Sequence, residues 1–345
     1  MGSAVQLSRV PAIIIKRIVF VAAWVVCMMP WAWGGPPLAL AVGMVFALTN
    51  LSQFQGEAKK VSRVMIQACV VLLGLRVDLG QLAREASHGF AFAAATIVVA
   101  FAIGFALQAL LRTGKELTLL VSSGTAICGG SAIAAVGSAI GSSSSAMAVA
   151  TGAIFVLNAV ALYAFPAIGY ALHLSDTQFG TWAGVAIHDI SSVVGAASHY
   201  HAVEGDTAAT ALDTANIVKL SRVIWILPCT LFAGWIMRRE RAMARGEEPR
   251  KRKPWWKVAA GVVPLFILLF LLASAVRTFV PAVAEQQERI KFIAGLGFAG
   301  ALFLIGSGLS RKALASVGWR VLTQAVLLWI AVAGLALGVV VWWVR

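Results

Sequence analysis

Charge is scarce in this chain. Only 12% of its 345 residues are Asp, Glu, Lys or Arg, against 60% that are hydrophobic. Soluble domains carry about 25% charged residues to dress their surface, so a soluble globular protein is excluded. Acidic residues are scarcer still, 14 against 28 Lys and Arg. The four cysteines, Cys27, Cys69, Cys128 and Cys229, stand far apart inside apolar or Gly-rich runs. That spacing argues against a disulfide framework or a structural metal site. No G-x-x-x-x-G-K-[ST] loop occurs, so an ATP-driven pump would need another subunit, and no cofactor is expected. The short basic start lacks a small-residue cleavage site, so the first apolar run reads as a retained span.

Long apolar runs are what the sequence does have. They recur at lengths that cross a hydrocarbon core of roughly 30 Å. They are continuous rather than alternating, which favours helices over barrel strands. The expected fold is an all-α polytopic membrane protein with about ten or eleven spans forming a single domain over 1–345. Spans are expected near 17–34, 36–52, 62–79, 88–111, 117–140, 145–172, 180–200, 207–237, 257–280, 290–309 and 317–344. Gly34, Gly35, Pro36 and Pro37 predict a tight turn between the first two.

The net charge of +14 invites a nucleic-acid reading. The basic residues instead sit between apolar runs, as positive-inside flanks do. Arg9, Lys16, Arg17, Lys59, Lys60, Arg63, Arg112, Lys115, the basic linker 238–257, Arg311, Lys312 and Arg320 fall on one side. Arg76, Arg84, Arg277, Arg289, Lys291 and Arg345 fall on the other. The bias predicts a cytoplasmic N-terminus. Trp31, Trp33, Trp255, Trp256, Trp342 and Trp343 suit interfacial belts. A short likeness between Leu73–Asp78 with Leu82-Ala83, and Ile305–Ser310 with Leu314-Ala315, suggests inverted repeats with discontinuous crossing helices.

Three segments carry polar groups to membrane depth. The first holds Ser122, Ser123, Gly124, Thr125, Cys128, Gly129, Gly130 and Ser131. Each helix-interior glycine costs about 1 kcal/mol against alanine, so the cluster predicts an unwound stretch between half-helices. A half-helix starting near Ser131 would offer free N–H groups to an anion. Small-residue packing is the structural alternative. The second segment holds Gly184, His188, Asp189, Ser191, Ser192 and Gly195. Adjacent ionisable residues in an apolar run are costly and point to function, with a helix end at the interface as the alternative. His188 would change charge near neutral pH, and Asp189 would hold its tautomer or take up a proton. The third is the stripe Asp213, Asn216, Lys219, Arg222, spaced by three and so winding slowly along one helix face. It suits an anion path, internal salt bridges or snorkelling to the interface. Asn158 would cross-link helices. His173, His199 and His201 fall in loops, and Ser142–Ser145 form a polar turn.

These segments carry a resemblance to a known family. The chain is similar, over nearly its full length, to the YeiH-type sulfate exporters of bacterial inner membranes. The residues are Ser123-Gly124-Thr125-Ala126-Ile127-Cys128-Gly129-Gly130-Ser131-Ala132, then Gly184 through His188-Asp189 to Val193-Val194, then Lys219-x-x-Arg222 leading to Pro228. The second departs from the family pattern. Asp189 stands where Glu is usual, and Ile190-Ser191-Ser192 where Val-Ala-Gln is usual. The resemblance implies a multi-span transporter related to the sodium/bile-acid and sodium/proton antiporter architecture.

The expected activity is secondary, proton-coupled export of a small anion, with sulfate or an organosulfonate as the named guess, rather than enzymatic turnover. The expected anion-binding residues are Ser123, Gly124, Thr125, Cys128, Gly129, Gly130, Ser131, Lys219 and Arg222. The expected coupling residues are His188, Asp189, Asp213 and Asn216. Two alternatives stay open: a cation/proton antiporter using Asp189 and Asp213, and an intramembrane enzyme using Ser123 or Ser131 with His188. Against the enzyme, neither serine has a G-x-S-x-G context. Expected partners are the anion, the lipid bilayer and, left open, further copies of the chain; nucleic acid is not expected.

Overall fold

A computed structural model describes residues 9–29, 35–49, 51–198, 200, 211–245, 265–308 and 318–343. Trp31, Trp33, Gly34, Trp255, Trp256, His199, His201, Arg311, Lys312, Arg345, the linker beyond 245 and the repeat residues from 309 lie outside them. The described residues fold as helices without strands. Five helices are long and apolar enough to cross a membrane: Ala91–Leu111, Ser144–Ala171, Ala211–Met243, Gln287–Ser307 and Trp319–Trp342. The protein is an all-α polytopic membrane protein.

In chain order the helices are α1 (Arg9–Cys27), α2 (Gly35–Leu48), α3 (Gln55–Gly74), α4 (Leu79–Leu111), α5 (Lys115–Ser123), α6 (Gly130–Ile140), α7 (Ser144–Ala171), α8 (Asp176–Ala186), α9 (Ile190–Ala197), α10 (Ala211–Val223), α11 (Ile226–Arg245), α12 (Leu265–Phe279), the single turn α13 (Pro281–Ala284), α14 (Gln287–Ser307) and α15 (Trp319–Trp343). Packing sorts them into two groups. One is α1, α2, α3, α12 and α14; the other is α4 to α11 with α15. They meet mainly where α9 packs on α14 and α2.

The segments 117–140 and 180–200 are both interrupted, the first as its clustered glycines predict. Neither runs straight on after its break. Helices α5 and α6 form a hairpin. The Ser143 N–H donates to Glu116 Oε1 at 3.0 Å. A β-carbon on Gly137 would lie 3.4 Å from Leu120, and one on Gly124 would lie 2.9 Å from Ile133. These three pairings are antiparallel, so residues 115–116 and 141–143 lie at the same end. Helices α8 and α9 repeat the arrangement from the opposite end of α7. Tyr200 Oη donates to Leu174 O at 2.7 Å, and the Tyr200 ring stacks on Phe179 at 3.7 Å. At about 1.5 Å per residue, each limb is long enough for only part of the membrane.

The turn-back changes an even number of crossings, so the grouping of basic residues by end survives. Lys115 Nζ pairs with Glu240 at 3.2 Å at one end. At the other end Gln287 Nε2 donates to Leu75 O at 3.1 Å, and the Leu79 N–H donates to Thr278 Oγ1 at 2.9 Å.

Local chemistry explains the limits of the limbs. Ser175 and Gln178 form a reciprocal capping box at the start of α8. Ser143, in the expected polar turn, caps α7 by accepting from the Ala146 N–H at 3.1 Å. Pro228 has no N–H to offer Ile224 O, and the chain loosens at 224–225 between α10 and α11. Gly180 and Gly184 let α8 lie against the α10 backbone: β-carbons there would meet Ala211 O at 2.6 Å and Ala215 O at 2.9 Å.

Candidate functional site

The two hairpin tips meet inside the second helix group. The first tip is a π-helical turn, Gly124–Cys128, followed by Gly129 at φ 62°, ψ −125°. Only glycine adopts that conformation readily, which fixes the residue at the reversal. A β-carbon on Gly129 would lie 3.6 Å from both the Asp189 Cβ and the His188 carbonyl carbon of the second tip.

The second tip contains neither glycine nor proline at 187–189. Its cause is Asp189. This residue is extended and caps α9, with Oδ1 accepting from the Ser192 N–H at 2.7 Å and the Ser191 hydroxyl at 2.8 Å. An Asp that satisfies the start of one helix competes with continuation of the helix before it.

Asn158, halfway along α7, joins this tip. Its Nδ2 donates to Asp189 Oδ2 at 2.6 Å, and its Oδ1 accepts from the His188 N–H at 3.1 Å. The same Oδ1 lies 3.1 Å from His188 Nδ1. An amide oxygen only accepts, so the bond places the imidazole hydrogen on Nδ1. Asn158, rather than Asp189, therefore sets the tautomer. His188 is 0% exposed, and its Nε2 has no hydrogen-bond partner among the described residues.

The stripe on α10 divides. Lys219 and Arg222 are buried, 1% and 0% exposed, and do not snorkel to the interface. Lys219 Nζ donates to Ile127 O at 3.4 Å. Arg222 donates through Nη2 to Ala126 O and through Nη1 to Thr96 Oγ1, the latter at 2.8 Å. Both cations thus sit on carbonyls of the π-helical turn, at the negative end of the α5 limb. Trp329 Nε1 does the same for Ala186 O of the second tip, at 3.0 Å. Lys219 is within electrostatic reach of Arg222, Cys128, Asp189 and His188. The ion pairs found among the described residues include neither Lys219 nor Arg222.

Asp213 belongs elsewhere. It pairs with Arg76 at 3.0 Å, and the Arg76 side chain is only 7% exposed. Six residues of helix put Asp213 about 9 Å along the axis from Lys219. Asp213 therefore pairs with Arg76, in the turn between α3 and α4, rather than with Lys219. Asn216, between them, is 2% exposed with both amide atoms unpartnered among the described residues.

The first tip also sorts its candidates. Ser123 turns back to its own helix, donating to Leu120 O at 2.9 Å. Thr125 is buried, its hydroxyl unpartnered among the described residues. Cys128 Sγ and Ser131 Oγ are 2.7 Å apart. Gly129 provides no side-chain cap to α6, and Gly130 and Ser131 reach the surface. An uncapped helix start beside two buried cations can receive a negative group. Sequence reasoning gave Asn158 too little weight and missed Thr96, Trp329 and the network in which Gln324 Nε2 donates to Gly104 O and Thr118 Oγ1 at 3.0 and 3.1 Å.

Among the described residues no group of three His, Cys, Asp or Glu side chains is placed to hold a metal ion. The sequence profile of the family described as "Conserved hypothetical protein 698" matches residues 11–325. The chain belongs to this family. Among its relatives, the UPF0324 membrane protein of Geobacter sulfurreducens is 36% identical over 323 residues, covering 94% of this chain and 96% of the relative. The UPF0324 membrane protein of Bacteroides thetaiotaomicron is 38% identical over 304 residues, 88% of this chain and 85% of the relative. That of Porphyromonas gingivalis is 39% identical over 306 residues, 88% and 86% of the two chains. No solved structure matches the chain.

Proposed function

We propose that this family member is a secondary transporter of the bacterial inner membrane, with a cytoplasmic N-terminus, that exports a small anion bound where the two hairpin tips meet. One observation carries the reading. Lys219 and Arg222 are wholly buried, and no carboxylate is paired with either among the described residues. An uncompensated buried charge costs several kcal/mol, and carbonyl dipoles offset only part of it. An arriving anion supplies the rest. The uncapped start of α6 gives it backbone donors. The resemblance to sulfate exporters makes sulfate or an organosulfonate the first substrates to try.

The geometry gives less support to the rivals. A cation site built from Asp189 and Asp213 would have to take Asp213 from its ion pair with Arg76. An enzyme would need a serine beside His188, whereas Ser123 bonds to Leu120 O and Ser131 to Cys128.

The test is flux of labelled sulfate and methanesulfonate in proteoliposomes, with and without a pH gradient. Flux that depends on the protein and falls at least tenfold in Lys219→Met supports the reading. Equal flux in protein-free vesicles, or in Lys219→Met, rejects it.

A further inference from the structure

We infer that a divalent oxyanion enters this site together with one proton, which is held on Nε2 of His188, whereas a monovalent anion enters without one. The inference rests on the anion reading above and adds the charge class of the substrate and the atom that carries the proton.

Hydrogen bonding distinguishes the two ionisable residues of the second tip. Asp189 accepts from Ser191, Ser192 and Asn158, so donors already meet both of its oxygens. His188 is held differently. Asn158 fixes the hydrogen on Nδ1, so Nε2 presents a lone pair in a wholly buried position. No described donor meets that lone pair. A buried acceptor left unmatched is an unfilled place for a proton or a protonated ligand.

Charge decides when the proton arrives. The charged and titratable groups around the tips are Lys219 and Arg222 from α10, Asp189 from the second hairpin, Cys128 from the first and the thiol Cys229 from α11. Helices α4, α7 and α15 contribute Thr96, Asn158 and Trp329, none of which is charged. Two cations against one carboxylate leave a single positive excess. A proton on His188 alone would double that excess in a low-dielectric interior, which is unfavourable. A monoanion cancels the excess by itself. A dianion overshoots by one negative charge, and the His188 proton restores neutrality. His188 thus becomes a donor through Nε2 when a dianion is present.

The experiment is calorimetric titration of the purified full chain in detergent with sulfate and with methanesulfonate, in Tris and in HEPES, whose differing heats of ionisation count protons. The wild type is expected to take up about one proton per sulfate and about none per methanesulfonate. His188→Gln is expected to bind sulfate about tenfold more weakly and without proton uptake. Unchanged uptake in His188→Gln, equal uptake with both anions, or none with sulfate in the wild type overturns the inference while leaving the anion site standing. Binding of neither anion to the wild type overturns the anion reading itself. If His188→Gln does not fold, His188→Asn takes its place. The pH dependence of wild-type sulfate affinity decides independently, since an affinity that does not fall as pH rises overturns the inference.

Discussion

Replacing Gly129 by alanine separates backbone geometry from packing at the first hairpin tip. The added methyl would find room. Its nearest neighbours would be Ile154 at 3.4 Å and the second tip at 3.6 Å, ordinary van der Waals distances. The backbone is the obstacle, because φ 62° with ψ −125° is a conformation that an L-residue holds at about 1–3 kcal/mol. Gly130→Ala is the matched control. It has no positive φ, its nearest neighbour would be Thr151 at 3.8 Å, and alanine gains roughly 0.5–1 kcal/mol over glycine in a helix. The two variants should therefore differ by about 1.5–4 kcal/mol, with Gly129→Ala the weaker. Thermal unfolding in detergent, monitored with a thiol-reactive fluorophore, reports this directly, because Cys69, Cys128 and Cys229 are buried in the folded state. A Gly129→Ala variant that melts at or above Gly130→Ala would refute the strained reversal.

Asn158→Leu removes three hydrogen bonds that tie α7 to the second tip. Discounted for the modest worth of such bonds in membranes, the loss should be about 2–4 kcal/mol, read from the same melting assay. Arg76→Asp and Asp213→Arg should each destabilise by about 2–4 kcal/mol, and the double exchange should recover at least half of that; failure of the exchange to recover stability would show that the pair is not coupled. Gly184→Ala drives a methyl against a backbone oxygen at 2.9 Å and should cost about 1–3 kcal/mol, whereas Gly338→Ala, inside α15 with nothing within 4 Å, should stabilise by about 0.5–1 kcal/mol.

Much of this architecture was legible in residue order. Apolar run length located the helices, and the clustered glycines of 124–130 located the first break. The second break was not legible: His188 and Asp189 flagged the segment as functional, but that Asp189 caps α9 shows only in its bonds to Ser191 and Ser192. The doubling back was not legible. A pair of short helices around a break has the same apolar length as a span, and contacts such as Glu116 with Ser143 are long-range. The Arg76–Asp213 ion pair was not legible, because its partners stand 137 positions apart. A lone Asn158 in an apolar helix carries no sign that it serves both His188 and Asp189. Lys219 and Arg222 were found from their spacing, but their carbonyl partners depend on the π-helical turn.

Side-specific labelling tests the central geometry most directly. Single cysteines at Gly114, Ser145 and His173, all exposed positions, would be introduced into a chain lacking the four native cysteines and probed in intact and inverted vesicles with a membrane-impermeant maleimide. The hairpin arrangement predicts that positions 114 and 145 label from one face and 173 from the other. Labelling of 114 and 173 from the same face, with 145 opposite, would show that 115–140 crosses the membrane and would contradict the meeting of two hairpin tips.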